Sequence, residues 1–62
     1  MEKYIIIRDS DELYYDAIED TFSHSATIFD NSVDVIRVYY ELKRYHFVRI
    51  CRIKIEIIGN IK

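Results

Sequence analysis

Between His46 and Ile58 the chain reads HFVRICRIKIEII, an alternation of apolar and charged residues with no Gly or Pro to interrupt it. A period of two sends successive side chains to opposite faces of a strand. Phe47, Cys51, Ile53, Ile55 and Ile57 then share one face, with Arg49 as the exception. Val48, Ile50, Arg52, Lys54, Glu56 and Ile58 share the other, and Gly59-Asn60 ends the strand. Near the start, KYIIIR (Lys3 to Arg8) is a short β-branched run. It predicts another strand, central in its sheet or buried on both faces.

The segment DSDELYYDAIEDTFSH, from Asp9 to His24, carries a different period. At about 100° per residue, Leu13, Tyr14, Ala17, Ile18, Thr21 and Phe22 gather on one side, and Glu12, Asp16, Glu19, Asp20 and Ser23 on the other. This pattern predicts an amphipathic helix capped by Asp9 or Ser10, with Asp9 and Glu12 at capping-box spacing. HSATIFDNS is a connection, and Asp30-Asn31-Ser32 is turn chemistry. VDVIRVYYELK fits two patterns. As a strand, Ile36, Val38, Tyr40 and Leu42 alternate with Arg37, Tyr39, Glu41 and Lys43; as a helix, Asp34, Arg37, Glu41 and Arg44 share a side and Asn31 is available as a cap. The β-branched and aromatic content favours the strand. A Lys43-Arg44 turn would then set Tyr40 opposite Phe47 and Ile36 opposite Cys51, although neither turn residue favours the positive φ of a tight hairpin. The expected architecture is α+β: a single small domain over residues 1–62, in the order β-α-β-β, with one amphipathic helix packed on a three-stranded, mostly antiparallel sheet.

Composition changes this picture in one respect. Ordering a chain costs on the order of 1.5 kcal/mol per residue, and a core of 62 residues barely offsets that. Cys51 is the only cysteine, so no intrachain disulfide can help, and two histidines with one distant cysteine make a poor zinc set. No cofactor or metal is expected. A second chain is the remaining device. Val35, Tyr39, Val48, Ile50 and Ile58 fall on the strand face turned away from the expected helix, and they form the candidate interface of a homodimer. Half of the residues are hydrophobic, yet no apolar run approaches the roughly 20 residues of a membrane span. The opening MEKYIIIRD is too short for the apolar part of a signal peptide, so the expectation is a soluble, cytoplasmic protein with Cys51 reduced. The abundance of Ile, Tyr, Asp, Glu and Lys, with one Gly and no Pro, resembles proteins of AT-rich genomes and their phages. A phage product of this kind would act in the host cytoplasm.

The net charge of −2 conceals a marked asymmetry. Asp9, Asp11, Glu12, Asp16, Glu19, Asp20, Asp30 and Asp34 occupy a stretch without Lys or Arg, while Arg37, Lys43, Arg44, Arg49, Arg52, Lys54 and Lys62 follow with only Glu41 and Glu56 against them. The acidic helix face, Glu12, Asp16, Glu19 and Asp20 with Tyr15 beside it, is the candidate partner-binding surface; its ordinary reading is a solvated face. It lacks the spacing and glycine turn of a calcium loop. The basic residues, with Tyr39, Tyr45 and Phe47 among them, suit contact with nucleic acid, though the pI of about 5.5 argues against a dedicated binder. Cys51 reads as a packed core thiol, because nothing local supplies a base. His24 is placed to face helix-terminal carbonyls, and His46 to lie opposite Glu41; neither spacing implies catalysis. The pairs Tyr14-Tyr15 and Tyr39-Tyr40 suit packing with one member at an interface.

These features favour a small non-enzymatic protein-interaction module, a homodimer that binds or inhibits a larger protein, in the manner of phage-encoded inhibitors of host proteins. The alternative is a small nucleic-acid-associated regulator that uses the basic C-terminal hairpin.

Overall fold

The computed structural model describes residues 2–54. The elements run β1 (Glu2–Arg8), β2 (Tyr14–Asp16), β3 (Thr21–Ser23), α1 (Ser32–Leu42) and β4 (Val48–Lys54). One antiparallel sheet has the strand order β3-β2-β1-β4, and α1 packs on it against β1 and β4. The α+β class, with one helix on an antiparallel sheet, is as the sequence indicates. The element order and the strand count are not.

The isoleucine run explains the centre of the sheet. β1 lies between β2 and β4 and pairs with β4 along its whole length, from Glu2 opposite Lys54 to Arg8 opposite Val48. Opposed residues of an antiparallel pair point to the same side. Tyr4, Ile6, Val48 and Ile50 therefore share the face that meets α1, while Ile5, Ile7, Cys51 and Ile53 share the other. The core joins Ile6, Tyr15, Val35 and Val48, with Phe22, Phe29, Val38 and Leu42 packed around it. This reverses the expected orientation of the last strand: Val48 and Ile50 face the helix, and Cys51 and Ile53 face away from it. The calls on Ile55, Ile57, Ile58 and Gly59-Asn60 fall outside the described residues.

The segment expected to be a helix, Asp9 to His24, is a pair of turns around two short strands. Its aspartates decide this. Asp side chains compete for nearby backbone N–H groups and so favour turns over helix interiors. Asp11 Oδ1 accepts from the Leu13 N–H at 3.3 Å, and Asp16 Oδ1 accepts from Ile18 N–H at 3.0 Å and Glu19 N–H at 3.3 Å. Glu12 and Asp20 close the two turns with φ of 57° and 50°, the left-handed region that Asp tolerates better than most residues and Glu does not favour. Tyr15 and Phe22 stand opposite each other between the turns, so their inward side chains obey a strand period that the helical pattern conceals.

The segment expected to be a strand, Val33 to Lys43, instead forms α1 (Ser32–Leu42) with Lys43 as its C-cap. Asn31 is its N-cap, with Oδ1 accepting from the Asp34 N–H at 2.9 Å, and Asp34 complements the helix dipole in the first turn. Val35, Val38, Tyr39 and Leu42 line the buried stripe. Packing of this stripe on β1 and β4 overrides the β-branched composition, because tertiary burial outweighs propensity differences of a few tenths of a kcal/mol. Lys43-Arg44 consequently closes no hairpin, and Tyr40 does not oppose Phe47, nor Ile36 oppose Cys51.

Where β2 diverges from β1, the chain returns to fill the fork. Phe29 bridges to Tyr4 through paired backbone hydrogen bonds of 2.8 and 3.0 Å, and the Thr27 N–H donates to the Tyr15 carbonyl at 3.0 Å. The polar backbone that the short β2 leaves open is thereby satisfied. Among the described residues no helix is long and apolar enough to cross a membrane.

Candidate functional site: an acidic turn beside an aromatic cleft

Residues 17–20 connect β2 to β3 and, with Asp16 at the end of β2, form an acidic turn. Asp16 holds the turn through its two backbone contacts, and the Ala17 N–H donates to Thr27 Oγ1 at 2.7 Å. At the far end the Tyr15 hydroxyl donates to Asp20 Oδ1 at 2.7 Å. That bond to a carboxylate, reinforced by burial, pushes the Tyr15 phenol up to about 12 and keeps it a neutral donor. The turn so fixed leaves Ile18 at its tip, 89% exposed, with Glu19 beside it.

Behind the turn lies a cleft of about 620 Å³ between the β2–β3 hairpin and the end of α1. Tyr15, Phe22, Tyr45 and His46 supply rings, Val38 and Leu42 supply apolar walls, and Asp20 and Glu41 supply carboxylates. The Phe22 ring meets Tyr15 at 5.5 Å and the edge of His46 at 4.9 Å. Arg8 also reaches the cleft, with its guanidinium 4.3 Å from the Phe22 centroid, but its Nε and Nη2 are both taken by the Asp11 carboxylate at 3.0 and 2.5 Å. This pairing raises the Arg8 pKa and lowers that of Asp11.

The expected partner-binding residues are thus redistributed. Asp16, Glu19 and Asp20 stay together in one turn, and Glu12 sits in the other turn, near Arg49 at 3.7 Å. No helix face gathers them. Tyr15 is a correction: it is 8% exposed and belongs to the core, because it alternates inward beside Phe22. The expected dimer residues need the same revision. Val35 is 1% and Val48 8% exposed, and Tyr39 and Ile50 pack against them under α1, so these four cannot form an open patch. Ile58 lies outside the described residues. His46 and Glu41 do come together, as lining of the cleft rather than across a hairpin. Cys51 is half-buried on the sheet face away from α1, not in the core.

The described basic residues from Arg37 onward are spread over two elements. Arg37, Lys43 and Arg44 belong to α1 and its end, and Arg49, Arg52 and Lys54 to β4. Arg37 pairs with Asp34, Arg49 with Asp9, and Arg52 with Glu2. Among the described residues no group of three or more His, Cys, Asp or Glu side chains could hold a metal ion. Two features of the candidate site escape the sequence pattern: Ile18, which the helical period assigns to a buried face, and the cleft, which depends on residues far apart in sequence. The run DAIED was the available signal for the turn, since Asp at its first position favours an Asx turn. Comparison with known families, curated proteins and solved structures finds no match to this chain.

Proposed function

We propose that this chain is a non-enzymatic protein-interaction module that binds or inhibits a larger protein, and that the Asp16–Asp20 turn is its point of contact. The observation that carries this reading is Ile18. A lone exposed apolar side chain needs no explanation, but this one tops a turn held by side-chain hydrogen bonds on both flanks. A preorganised contact loses little conformational entropy on binding. The flanking carboxylates of Asp16, Glu19 and Asp20 select a partner with an apolar pocket inside a basic rim.

A homodimer remains part of the proposal, moved to the sheet face away from α1. There Ile7, Tyr14, Cys51 and Ile53 are only half-buried and continue across β2, β1 and β4. Reduced Cys51 suits action in the cytoplasm, the host's if the chain is phage-encoded. The nucleic-acid alternative draws less support, because three of its cations already pair with carboxylates of the same chain. Two assays separate these readings. Immobilised wild type and the Ile18→Ser variant are compared for specific capture of a protein from the cell that makes the chain, and capture by wild type alone is expected. A gel-shift at low salt should show no nucleic-acid binding, and a shift that weakens steeply with salt would favour the alternative.

A further inference from the structure

We propose that the cleft behind the turn receives an arginine side chain of the partner protein, pairing its guanidinium with Asp20 and Glu41 and stacking it against the rings at the rim. This inference rests on the reading of the chain as a module for a basic protein. Four observations point to arginine. The carboxylates of Asp20 and Glu41 line the cleft, and among the described residues neither has an ion-pair partner. Arg8, the one arginine among the residues that line the cleft, is neutralised by Asp11 through two hydrogen bonds. Its guanidinium lies 4.3 Å from the Phe22 centroid, so one aromatic wall already carries a cation. Finally, Tyr45 stands at the rim 77% exposed, with the Arg44 guanidinium 5.9 Å from its ring centroid, so this ring too sits beside a cation.

A planar guanidinium satisfies carboxylates and rings together, which an ammonium does less well. The volume lies within the range of small-ligand pockets, about 300–1,000 Å³. The cleft opens beside the Asp16–Asp20 turn, since Asp20 belongs to both. Ile18 would enter an apolar pocket of the partner while the partner's arginine enters this one.

The test uses a tri-arginine amide peptide, its tri-citrulline counterpart and the isotope-labelled full chain. The arginine peptide should give saturable NMR shifts centred on Asp20, Phe22, Glu41 and Tyr45. The double variant Asp20→Asn, Glu41→Gln should bind roughly ten-fold more weakly, as expected for the loss of two partly exposed ion pairs. Asn tolerates the positive φ at position 20, so the fold is kept. The neutral citrulline peptide should bind no better than the double variant binds arginine. Shifts centred elsewhere, equal binding of citrulline, or undiminished binding by the double variant would overturn the proposal. Capture of the partner distinguishes the two levels: loss with Ile18→Ser but not with the double variant sinks the cleft and leaves the turn standing.

Discussion

The Tyr15 hydroxyl, at the edge of the core, donates to Asp20 Oδ1 at 2.7 Å and so ties the hydrophobic interior to the acidic turn. Tyr15 is the inward residue of β2, and Asp20 adopts a left-handed backbone with φ of 50°. The hydrogen bond links packing to the proposed recognition site: it fixes the end of the turn that carries Ile18.

Tyr15→Phe should keep the ring in place and cost about 1 kcal/mol, the usual net value of one hydrogen bond. The pH dependence is more specific. The folded-state pKa is raised from 10.0 to about 12, so the contribution is complete below pH 10 and is lost as pH rises toward 12. Denaturant melts across this range should show wild type losing its advantage over Tyr15→Phe. A constant difference between the two would separate the hydroxyl from Asp20.

The N-cap offers a test of the helix. Asn31→Ala removes the acceptor of the Asp34 N–H and should destabilise the chain by about 1 kcal/mol, whereas Asn31→Ser keeps a capping acceptor and should cost less. Urea unfolding followed by circular dichroism measures both. If residues 32–42 were a strand, the two substitutions would behave alike.

The core makes a sharper demand. Ile6 is fully buried, and Ile6→Ala should cost about 2–5 kcal/mol, a large part of the stability of so small a domain. Val48→Glu should likewise unfold the chain rather than dissociate a folded dimer, since Val48 faces α1. A folded monomeric Val48→Glu variant in sedimentation would return that residue to an intersubunit surface.

Homodimerisation, by contrast, should depend on the opposite face. Ile53 is half-buried there, opposite Lys3. Ile53→Lys should shift wild-type dimer to monomer at micromolar concentration while leaving the circular dichroism spectrum unchanged. A wild-type monomer at that concentration would remove the dimer from the proposal.

The pattern of residues along the chain revealed some of this structure and concealed the rest for physical reasons. The isoleucines of β1 and the alternation of β4 were legible, because a strand period survives wherever one face is buried. The middle was not. Leu13, Tyr14, Ala17, Ile18 and Phe22 lie at helical spacing, but only Tyr15 and Phe22 of that region enter the core cluster. Asp11 and Asp16 spend their carboxylates on backbone turns, a local choice that hydrophobic period does not register. Over residues 33–42 both periods fit the side chains, and the deciding contact is tertiary, Val35 against Ile6 and Val48. The candidate site suffered accordingly: its acidic residues were visible, while Ile18 was assigned to the interior and Tyr15 to the surface.

The central claim is that Ile18, held on the acidic turn, is the recognition residue. Ile18→Ser changes a side chain 89% exposed and should alter stability by no more than about 0.5 kcal/mol. The most direct measurement is the affinity of wild type and Ile18→Ser for the captured partner, determined by calorimetry at equal fold stability. The account predicts a loss of at least about ten-fold, the scale of an interface hot spot. Equal affinity of the two proteins would contradict it.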